Sequence, residues 1–62
     1  MKKLATSGSL EEIINLISQY LMGSTIELKN INASKWDIYT LKGKSNFFCV
    51  IQKGKRFYFM EI

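Results

Sequence analysis

A chain of 62 residues makes one domain, and a domain this small buries only about 60% of the surface its unfolded form exposes. A hydrophobic share of 47% with no proline excludes a disordered or low-complexity chain. A net charge of +4 with no histidine and one cysteine excludes an intrachain disulfide, the commonest general base and a structural zinc site.

The first eight residues carry Lys2 and Lys3 but no apolar run behind them, because Ser7, Gly8 and Ser9 follow at once. They read as a flexible N-terminus, residues 1–8, and not as a secretion signal. With a lone thiol, this places the protein in a reduced, cytoplasmic setting. Abundant Lys, Ile and Asn suit an A·T-rich bacterial or phage genome.

A helix follows over residues 9–22. Ser9-Leu10-Glu11-Glu12 has the spacing of a capping box, in which the serine hydroxyl accepts from the backbone three residues on and Glu12 reaches back. Both acids also lie where the helix dipole favours negative charge. Leu10, Ile13, Ile14, Ile17 and Leu21 recur at helical spacing and form one apolar stripe, with Leu16 and Tyr20 widening it. Gly23 supplies the left-handed stop.

Residues 26–62 read as a β-meander. Four runs rich in β-branched and aromatic residues, Ile26–Ile31, Trp36–Leu41, Phe47–Ile51 and Arg56–Glu61, are broken at 32–34, 42–44 and 53–54. Such short breaks permit only antiparallel neighbours. The expected fold class is therefore α+β: one N-terminal helix packed on a three- to four-stranded antiparallel meander. A two-residue loop at Lys53-Gly54 sets Val50 opposite Phe57 and Phe48 opposite Phe59. A three-residue loop at Lys42-Gly43-Lys44 sets Trp36 opposite Val50 and Ile38 opposite Phe48. One face then collects Trp36, Ile38, Phe48, Val50, Phe57 and Phe59, and it is assigned to the helix. Trp36 is thereby a core residue and not an interface anchor. The other face collects Tyr39, Leu41, Phe47, Cys49, Ile51, Tyr58 and Met60, with Asp37 and Arg56.

Enzymatic chemistry has little to stand on. Glu11 and Glu12 are the only adjacent carboxylates, and the helix start accounts for them. Cys49 sits mid-strand with no base suggested nearby, as a small packing residue does. Gly43 and Gly54 are turn glycines, not a phosphate loop. The expectation is a non-enzymatic protein with no cofactor and no metal. Its helix has an acidic polar face, unlike helices that lie on membranes, so no membrane partner is expected.

Two surfaces are candidates for binding. An open sheet face is normally polar, so an apolar one marks an interface. Tyr39, Leu41, Phe47, Ile51, Tyr58 and Met60 are its residues, contacting a protein partner or a second copy in a homodimer. A small bacterial or phage-encoded regulator or inhibitor fits this reading. The alternative is a basic pole. Residues 1–23 are net neutral, so the excess charge belongs to the meander. The turns at 32–35 and 52–55 share one end of it. Lys35, Lys53, Lys55 and Arg56 would gather there against nucleic acid or an acidic partner, with Tyr39, Phe47 and Tyr58 available to stack on bases. The competing reading is that lysines at turn tips solubilise a small protein and discourage edge pairing.

Overall fold

The computed structural model describes residues 1–62. The protein is α+β, with one helix on a single five-stranded antiparallel sheet. The elements run β1 (Lys2–Ser7), α1 (Leu10–Tyr20), β2 (Glu27–Asn32), β3 (Lys35–Thr40), β4 (Gly43–Lys53) and β5 (Arg56–Glu61). The strand order is β1-β5-β4-β3-β2. The last four strands are the expected meander. The first is an addition: the segment expected to be flexible pairs with the end of the chain, Lys2 opposite Glu61 and Ser7 opposite Phe57. It covers the edge that β5 would otherwise expose, and it puts the start of α1 directly above the sheet. That start sits at the end of the sheet where β4 turns into β5.

Helix α1 begins as its sequence implies, with one change of partner. The Ser9 hydroxyl accepts from the Glu12 N–H at 3.0 Å. The Ser9 N–H donates to Ser7 Oγ at 3.1 Å, where a capping box would use Glu12. Ser7 is fully buried, so its hydroxyl needs a partner inside the protein, and the helix start provides one. The helix is shorter than expected because the chain turns left-handed at Met22 (φ 63°) as well as at Gly23 (φ 79°). The Gly23 N–H bonds back to the Ser18 carbonyl and the Met22 N–H to that of Gln19, which is the Schellman pattern.

The register differs in detail from the sequence reading without exchanging the faces. Lys53 pairs with Arg56, so the β4–β5 turn is Gly54-Lys55. Gly54 at φ 60° takes the first central position, where a primed turn needs a positive φ. Val50 consequently faces Phe59, and Phe48 faces Glu61. The change moves every pairing by an even step, so each side chain keeps its face. Trp36 does face Val50. Beyond Asp37 the β3–β4 ladder shifts and resumes at Tyr39–Lys44, so Ile38 does not pair with Phe48. The connecting turn is Leu41-Lys42, and Gly43 at φ 106° opens β4.

The core is small. Ile13 and Ile17 from α1 meet Ile38, Val50 and Phe59 from the sheet, all fully buried. Tyr20 stands edge-on to Phe48 and Phe59, and Trp36 edge-on to Phe57. Trp36 packs against this core as expected, although part of it stays accessible. The helix lies chiefly over β1 and β5.

Candidate functional site

The helix covers one face of the sheet and leaves the other open. Residues paired across neighbouring strands point to the same side, so the ladder defines the open face row by row. One row is Thr6, Tyr58, Ile51 and Lys35. The next is Lys3, Met60, Cys49, Asp37 and Lys29. Lys44, Tyr39 and Glu27 follow at one end, and Lys53 with Arg56 close the other.

Six cations and two carboxylates stand on this face, a balance of four that equals the net charge of the whole chain. The remaining charges, Lys2, Lys42 and Lys55 against Glu11, Glu12 and Glu61, cancel. One of the two carboxylates is engaged, since Asp37 lies 3.6 Å from Lys44 Nζ. Strand β2 contributes Lys29 to this total, and β1, the strand that the sequence did not reveal, contributes Lys3.

The apolar side chains of this face are less open than expected. Lys3 Nζ lies over the Tyr58 ring at 4.6 Å from its centroid, and Lys29 Nζ over Tyr39 at 5.1 Å. Contacts of this kind contribute about 0.5–1 kcal/mol at exposed sites, and the lysine stems shield the rings from water. Tyr39, Ile51, Tyr58 and Met60 are half-buried and not open to solvent throughout, and Cys49 beneath them is fully buried. Burial pushes the Cys49 thiol above its ordinary range, with nearby Lys35 opposing and Asp37 adding to the effect. A cleft of about 430 Å³ opens on the face, walled by Met1, Ile51, Tyr58 and Met60 with Lys3 and Lys53 beside them.

Four of the six expected interface residues thus share the open face. Leu41 and Phe47 do not join them in its middle. Leu41 is in the β3–β4 turn and 92% exposed, and Phe47 is 70% exposed in the part of β4 with no partner on β3. Leu41 meets a different neighbourhood, an apolar end where Tyr20, Leu21 and Met22 from the close of α1 flank a depression of about 460 Å³.

The basic pole is assembled in part. Lys35, Lys53 and Arg56 lie at one end of the open face, and Lys55 occupies the turn itself. A backbone bond from the Gln52 N–H to the Ser34 carbonyl, 2.7 Å, holds the two turns of that end together. Arg56 is steadied by Nε donating to Thr6 Oγ1 at 3.3 Å. No three His, Cys, Asp or Glu side chains converge as metal ligands would, and no helix is long and apolar enough to cross a membrane. Compared with protein-family models, curated proteins and solved structures, the chain matches none.

Proposed function

We propose that this protein is a small non-enzymatic binding module that presents the open face of its sheet to a polyanionic partner. The observation that supports the reading is the charge balance of that face, which carries the entire net charge of the chain beside two tyrosines. A face of one sign steers an oppositely charged partner and weakens its grip as salt rises. Heparin serves as the polyanion probe in isothermal titration calorimetry. The double variant Lys35→Glu/Lys53→Glu should lose most of the affinity. Lys2→Glu/Lys42→Glu, which changes the net charge equally but off the face, should keep it. Equal losses from the two pairs would refute a face-specific role.

A second reading is a protein–protein contact, including a homodimer, through the apolar end. What favours it is the exposure of Met22 (94%) and Leu41 (92%) beside Tyr20. Contiguous exposed apolar surface of this kind is where partners dock. Sedimentation velocity over a concentration series tests it: a dimer that Leu41→Asp dissolves supports the reading, and a monomer at every concentration removes the homodimer.

A further inference from the structure

Resting on that reading, we infer that the polyanion is single-stranded nucleic acid, whose unpaired bases stack on Tyr58 and Tyr39 while its phosphates meet the lysines beside those rings. Charge alone would suit any polyanion; the arrangement of the rings narrows it. Tyr58 is on β5 and Tyr39 on β3, two strands apart and displaced along the strand direction by the four residues from Lys35 to Tyr39. Strand spacing and rise put them roughly 16 Å apart. That span exceeds the step between neighbouring nucleotides, about 3.4 Å even in a fully stacked duplex strand, several-fold, so the two rings take bases that are not adjacent.

Each ring has an ammonium group within 4.6 or 5.1 Å of its centroid. A nucleotide likewise joins a flat base to a phosphate, through one sugar. When a base takes the ring face, the displaced lysine stays close enough to meet the neighbouring phosphate. Base stacking on an aromatic side chain is worth more than an exposed cation–π contact, so the exchange favours the nucleotide. The cleft supports the same occupant. Its walls of Tyr58, Ile51 and Met60 suit the body of a base, and Lys3 and Lys53 stand where a phosphate would follow. A duplex keeps its base faces stacked internally and leaves both tyrosines unused. An acidic polypeptide uses the lysines and has no need of the rings.

Fluorescence anisotropy with a labelled oligothymidylate, the same sequence as a duplex, and poly-glutamate separates these occupants. The single strand should bind tightest, with an affinity that falls as salt rises. Tyr58→Leu and Tyr39→Leu should each weaken it by roughly 5- to 150-fold. Tyr58→Phe, which keeps the ring, should bind as the parent does. Poly-glutamate binding should be insensitive to the tyrosine variants. A duplex bound as tightly as the single strand, or leucine variants that bind the single strand unchanged, would overturn the inference. Binding of poly-glutamate without the single strand overturns it too, and leaves the polyanion-binding role standing. Binding of none of the three overturns both. If a leucine variant does not fold, the comparison of single strand with duplex in the unaltered protein still decides.

Discussion

Replacing Met22 by glycine should stabilise this protein, although it removes a large apolar side chain. Met22 is the only non-glycine residue with a positive φ, 63°, and its side chain is 94% exposed. A left-handed backbone brings Cβ against the following carbonyl and costs a non-glycine residue roughly 1–2 kcal/mol. Glycine escapes that cost but loses more backbone freedom on folding, about 0.5–1 kcal/mol. Almost no burial is forfeited. The net gain centres on about 0.75 kcal/mol, within a span of about 0–1.5, which in a domain of this size raises the melting temperature by roughly 3–6 °C. Thermal unfolding followed by circular dichroism reads it directly. Met22→Ala is the control: alanine keeps the Cβ and the strain, so its midpoint should stay within about 0.5 kcal/mol of the parent. A glycine variant no more stable than the parent would refute the left-handed close of α1. So would an alanine variant that gains as much as glycine.

Ile17 is fully buried in the five-residue core. Ile17→Ala should cost about 2–5 kcal/mol, against a total of roughly 3–9 kcal/mol for a domain of this length, so the urea midpoint should fall to about half the parent's. Asp37→Asn removes one of two carboxylates on the open face and breaks a pair with a half-exposed lysine. It should cost less than about 1 kcal/mol of stability and tighten heparin binding by up to about fivefold, as expected for one unit charge near another in water. Cys49 should react slowly with a thiol-specific disulfide reagent in the native state and rapidly in denaturant, since it is buried and its pKa is raised. Because the folded state holds that proton more tightly, the contribution to stability is complete below the ordinary thiol value of 9.0. It is lost as pH rises above that value, and urea midpoints across that range should fall.

Much of this architecture is legible in the residues. Ser9 and Glu12 mark the helix start, and the isoleucines at 13 and 17 mark its buried face. Period-2 alternation from Trp36 to Phe59 assigns the faces even where the loop at Gly54 is off by a residue, because an even shift preserves parity. Strand β1 is not legible in this way. Lys2-Lys3-Leu4-Ala5-Thr6-Ser7 has little β-branched or aromatic character, its ladder shifts at Leu4, and its partners lie at the far end of the chain. Long-range pairing of this kind leaves no local signal. The cover over the open face is legible only in part. Its apolar residues are plain in the sequence, but the lysines that lie over Tyr58 and Tyr39 belong to β1 and β2. The apolar end was missed because it needs the close of α1 brought against the turn at Leu41, a contact that neither segment signals alone.

Methyl NMR during titration with a polyanion tests the central claim most directly, because the methionines sit on different surfaces. Met60 faces the open side of the sheet, and Met22 lies at the apolar end. If the open face is the binding surface, the Met60 and Ile51 methyl signals shift progressively while those of Met22 and buried Ile17 stay in place. Shifts at Met22 with Met60 unmoved would contradict the account and move the binding surface to the apolar end.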